Sequence, residues 1–118
     1  MTWKYPNEPT IFIEHVYQCI EDIQSYTHGI DRSGFFADTM TQDAVVRKIE
    51  IIGEAIKNLP EAIRKNYPDI PWENMEKMRD IVIREHFEVD LNYAWDVVTV
   101  ELPKLEPNIR IIVKELNS

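Results

Sequence analysis

Arg79, Arg84 and His86 lie close together in the run MRDIVIREHF, which spans residues 78–87. An arginine offers a permanent cationic fork for a phosphate, and a histidine near its ordinary pKa both accepts and donates protons around neutral pH. Together they suit phosphodiester chemistry. Attack by a ribose 2′-hydroxyl on the adjacent phosphate requires a base, an acid and stabilisation of developing charge, and it can proceed without a metal. If the run is one regular helix, Arg79 and His86 return to nearly the same face, about one and a half nanometres or less apart. Arg84 then points elsewhere.

The same spacing admits a purely structural reading. Trp72, Met75 and Val82 share that face, so it could be a packing surface on which Arg79 answers a carboxylate such as Glu50 or Glu54. His15 and His28 have weaker claims, as isolated surface or core histidines. The sequence shows no ligand cluster spaced for zinc, no glycine-rich phosphate loop and no serine with a nearby His and Asp. No cofactor is therefore expected.

The elements that must hold these residues are helical. Apolar residues recur at three-four spacing along most of the chain, and no alternating strand pattern appears. The class is all-α. Ile13, Val16, Tyr17, Ile20 and Ile23 form one stripe, with Pro9 and Thr10 at its start and Gly29 near its end, which predicts a helix over about 10–28. DRSGFFADTM reads as a linking stretch. Val45, Ile49, Ile52, Ile56 and Leu59 form a second stripe, starting near Thr41 or Gln42 and stopping at Pro60. A short helical piece, EAIRKNY, precedes the turn-like PDIPW, whose prolines force a break.

The next helix should begin around Trp72 and continue through ENMEKMRDIVIREHF. Asp90 can cap a final segment striped by Leu91, Trp95, Val98 and Leu102, which Pro103 and Pro107 should kink or divide. The simplest arrangement is an up-and-down bundle of about four to six helices with a crossing short helix.

At 118 residues the chain fits a single domain spanning 1–118. No run approaches the roughly 20 apolar residues that cross a bilayer, and MTWKYPNEPT has neither the basic start nor the apolar stretch of a signal peptide. A cytoplasmic protein with no membrane partner is expected. The lone cysteine, Cys19, cannot make an internal disulfide and reads as a core thiol, not a nucleophile. The formal charge of −8 opposes broad electrostatic attraction to nucleic acid, so any such site must be local.

Three blocks, DAVVRKIEIIGEAIKNLP, YPDIPWENMEKMRD and HFEVDLNYAWDVVTVELPKL, resemble the successive signatures of HepT-like ribonuclease toxins of the HEPN superfamily. The resemblance covers about residues 11–115. IIGEA at Ile51–Ala55, IPW at Ile70–Trp72 and MRD at Met78–Asp80 stand in the family's order and at its separations. It implies a HEPN-like helical bundle that forms a homodimer, bringing two copies of the motif to one cleft, and a metal-independent endoribonuclease acting on RNA. It also implies the toxin role in a type VII toxin–antitoxin system. The partner would be an MntA-like minimal nucleotidyltransferase antitoxin that adds AMP to a tyrosine.

The family's motif is Arg, a polar residue, three further residues, His, any residue, Tyr, then usually Phe. Arg79, Asp80 and Phe87 match it without a gap. Arg84 stands at the His position, and His86 at the Tyr position that would receive AMP. The wider superfamily tolerates four to six residues between Arg and His, and Arg79 to His86 has six.

Two function classes follow. One is an RNA-cleaving toxin in which Arg79 holds the scissile phosphate, His86 moves protons and Arg84 adds charge, with both arginines binding RNA. The other is a non-catalytic helical adaptor that keeps the antitoxin-binding surface.

Overall fold

A computed structural model describes residues 8–83 and 88–118. Its described residues form six helices and no named strand. α1 is Glu8–Thr27, α2 Arg32–Ala37, α3 Thr39–Lys57, α4 Glu61–Asn66 and α5 Trp72–Val82. α6 is continuous: Leu91–Asp96, a π turn at Val97–Glu101, and Leu102–Leu116. The all-α expectation holds. Among the described residues no helix is long and apolar enough to cross a membrane.

The stripes read from the sequence are the core. Ile13, Val16, Ile20 and Ile23 of α1 face Val45, Ile49, Ile52 and Ile56 of α3, and all eight are fully buried. Leu102, Leu105, Ile109 and Ile112 close the third side from α6. Cys19 is buried among them, and burial pushes its thiol pKa up, away from the reactive thiolate. Gly29 ends the first turn with φ of 74°, a left-handed conformation that glycine adopts without steric cost.

Two boundaries differ from the sequence reading. DRSGFFADTM is not merely a linker: Asp31 caps α2 by accepting from the Gly34 N–H at 2.8 Å, and Phe35 is driven wholly into the core. Asp38 then caps α3 through the Thr41 N–H at 3.1 Å, so that helix starts a few residues before Gln42.

At the other end Pro103 and Pro107 do not divide α6. The π turn immediately precedes Pro103, and the Leu102 N–H reaches back five residues to the Val97 carbonyl. The wider turn makes room where the Pro103 ring would collide with the carbonyl four residues earlier.

Candidate active site

The cleft beside Arg79 is set by one glycine. At Gly53, α3 and α5 approach so closely that a Cβ there would stand 3.3 Å from Arg79 Cβ and 3.3 Å from the Glu76 carbonyl. α5 begins after Pro71, its Trp72 indole donating to the Tyr67 carbonyl at 2.9 Å. Arg64 of α4 braces both sides: it donates to the Ile56 carbonyl at 2.6 Å and pairs with Glu76 at 3.1 Å.

The result is an open cleft of about 470 Å³ lined by Gly53, Lys57, Lys77 and Arg79 and by four carboxylates, Glu54, Glu73, Glu76 and Asp80. Three of those carboxylates are already answered: Glu76 by Arg64, Glu73 by Lys77 at 3.0 Å and Asp80 by Arg79 at 3.1 Å.

Arg79 lies in the last turn of α5 with its side chain 47% exposed. The carboxylate that meets it among the described residues is Asp80, not Glu50 or Glu54. Asp80 is 73% exposed, so water screens the pair, which is of the kind that contributes about 0–1 kcal/mol. A phosphate arriving at Arg79 has little to displace.

The helix expected to carry Arg79 and His86 together stops short. α5 ends at Val82, and Ile83 is extended at φ −106° and ψ 109°. Three consecutive β-branched residues, Ile81, Val82 and Ile83, favour that exit from helical geometry. Ile83 then makes an antiparallel bridge to Val89, and the Asp90 N–H donates to the Val82 carbonyl at 2.8 Å. The seven-residue helical spacing of Arg79 and His86 therefore does not apply. Arg84, His86 and Phe87 lie outside the described residues; of the described residues around them, Ile83 bridges to Val89 and donates its N–H to the Arg79 carbonyl at 3.1 Å.

The other expectations divide cleanly. Trp72, Met75 and Val82 are buried in the chain's own core. They are the packing surface that the structural reading of that face described. His15 and His28 are exposed. Asp90 caps α6 as read, accepting from the Tyr93 N–H at 3.0 Å. No group of His, Cys, Asp and Glu among the described residues could hold a metal ion.

Gly53, Lys57 and Lys77 were not singled out by residue chemistry. A glycine inside a buried helical stripe was the one available signal of close approach, and the lysines carried none.

The model of the family described as Ribonuclease HepT-like matches residues 16–112. The chain belongs to the HepT-like ribonuclease family. A Methanocaldococcus jannaschii protein named a gamma-glutamylcyclotransferase and candidate RNase is 48% identical over 91% of this chain, which spans about half (48%) of that protein's length. A probable ribonuclease HepT of Thermococcus cleftensis is 40% identical over 80% of this chain and 86% of its own. A candidate RNase of Caldanaerobacter subterraneus subsp. tengcongensis is 36% identical over 91% of this chain and 96% of its own. No solved structure matches the chain. Of the motif residues matched above, Arg79 and Asp80 lie among the described ones, paired with each other on the lining of the α3–α5 cleft.

Proposed function

We propose that the protein is a metal-independent endoribonuclease, acting on tRNA or mRNA as the toxin of a type VII toxin–antitoxin pair in the cytoplasm. The observation that carries this reading is the exposed Arg79 close to the Ile83–Val89 bridge, in a chain of the HepT-like family.

Arg79 forks onto the non-bridging oxygens of the scissile phosphate in place of Asp80, and Arg84 adds positive charge. The substrate's 2′-oxygen bonds to phosphorus while its proton passes to His86. The bond from phosphorus to the 5′-oxygen breaks, and an imidazolium returns a proton to that oxygen. The products are a 2′,3′-cyclic phosphate and a 5′-hydroxyl. A homodimer with two motifs at one cleft and an MntA-like nucleotidyltransferase antitoxin complete the proposal. Both rest on the family resemblance.

The test is to incubate the purified protein with tRNA and total RNA in EDTA, with Arg79→Ala beside it. Cleavage leaving cyclic phosphate ends, lost in Arg79→Ala, is expected. A strict magnesium requirement refutes the mechanism. No cleavage by the wild-type chain leaves the adaptor reading, in which the same surface serves only to bind the antitoxin.

A further inference from the structure

α2 carries a second cation, held beside the C-terminal anchor of the 84–87 segment. The Arg32 guanidinium lies 4.4 Å over the Phe36 ring and donates to Asn92 Oδ1 in the first turn of α6. Asn92 is two residues beyond Asp90, whose N–H is bonded to Val82, and Val82 is three residues beyond Arg79. Arg32 is thus anchored on the first turn of α6, whose capping residue Asp90 is hydrogen-bonded to the last residue of α5.

Neither of these two groups is a carboxylate. Its neighbour Asp31 is turned onto the Gly34 N–H at 2.8 Å. Arg64, Lys77 and Arg79 instead pair with carboxylates. In a chain of net charge −8, the exposed Arg32 guanidinium is held over a ring and by an amide.

The platform under it is rigid. Phe36 meets Phe35 edge to face at 6.0 Å, and Phe35 packs on Trp95 at 5.1 Å. Gln42 donates to the Phe35 and Phe36 carbonyls, both at 3.0 Å, and so fixes the end of α2. The rotamer freedom that a long arginine loses on binding is already lost here.

We infer that Arg32 and Phe36 form a second RNA-binding point, at which Arg32 takes a backbone phosphate of single-stranded RNA and an unstacked base lies on the guanidinium and Phe36 surfaces. Proteins recognise single-stranded RNA by stacking bases on aromatic rings and arginine planes, with cations tracking the backbone. The inference rests on the ribonuclease reading, and it concerns binding and not the chemical step.

The test measures affinity for a short 2′-O-methyl RNA, which cannot be cleaved, across a range of salt concentrations. Arg32→Gln keeps an amide for Asn92 and removes the charge. Its affinity should fall about tenfold at low salt, and the slope of log affinity against log salt should fall by about 0.7, the value for one lost single-strand phosphate contact. Arg32→Lys should keep the slope. Phe36→Leu should weaken binding about fivefold or more without changing the slope, because stacking carries no counterion release. With cleavable RNA, Arg32→Gln should raise KM and leave kcat unchanged.

A wild-type protein that binds and cleaves, with Arg32→Gln unchanged in affinity and slope, overturns the inference and leaves the ribonuclease reading standing. Weaker binding that only follows a lower melting temperature, with the slope intact, assigns Arg32 to bracing α2 against α6 and also overturns it. No RNA binding by the wild-type chain removes both.

Discussion

Gly53→Ala tests whether the α3–α5 cleft depends on the close approach at that residue. Alanine is the better helix former, and in a helix interior the exchange is worth about 1 kcal/mol in favour of the variant. Against this, the new Cβ would meet Arg79 Cβ and the Glu76 carbonyl, both at 3.3 Å, where unstrained carbon contacts sit at about 3.5–4.0 Å. Both obstacles belong to the frame of α5, so neither can swing aside and the whole helix must retreat by a few tenths of an ångström. Overpacking of this kind costs about 1–3 kcal/mol.

The expected net change is a loss of between zero and about 2 kcal/mol, seen as a melting temperature lowered by up to several degrees. The retreat carries Arg79 with it. Misplacement of a binding group on the order of 1 Å can cost a hundredfold in rate, so a shift of a few tenths should lower single-turnover cleavage by about threefold to tenfold. Calorimetry and single-turnover assays on the same preparation read both effects. A variant stabilised by the full 1 kcal/mol or so with unaltered cleavage would refute the claim that Gly53 sets the cleft.

Met75→Ala should cost about 2–5 kcal/mol in urea unfolding, because Met75 is fully buried in the chain's core; a variant of unchanged stability would contradict that burial. Asp22 is held below the usual carboxylate range by hydrogen bonds from Lys48 and Gln18. Its stabilising contribution is therefore full above the unfolded carboxylate pKa of about 3.9 and is lost as pH falls through the lower folded value. The stability difference between the wild type and Asp22→Asn should shrink between neutral pH and about pH 3, and a constant difference would contradict the pairing.

If His86 transfers the proton, His86→Ala should lower cleavage about a hundredfold with RNA affinity nearly unchanged, and the rate should change between about pH 5 and 8. Activity gained by the double replacement Arg84→His with His86→Tyr, in a wild-type background without cleavage, would retire His86 as the catalyst.

Much of this protein was written in its periodicity. The stripes Ile13–Ile23 and Val45–Ile56 are the α1 and α3 core because a helix that buries one face needs apolar residues every three or four positions, and that need is local to the sequence. Asp90 could be read as a cap and Cys19 as a core thiol for similarly local reasons. The family signatures, too, lie in the linear order of the residues.

The geometry of the site was not local. The run through Arg79 continues the helical pattern, but the Ile83–Val89 bridge and the Asp90-to-Val82 hydrogen bond end α5 at Val82, and their partners come from beyond the segment they enclose. Phe35 turns an apparent linker into α2 only because a core pocket beside Trp95 receives it. Gly53, Lys57 and Lys77 become cleft residues through the packing of α5 on α3. Local propensity specified which segments coil and which face each buries, while the cleft beside Arg79 depended on the packing of α5 against α3, between residues distant in the chain.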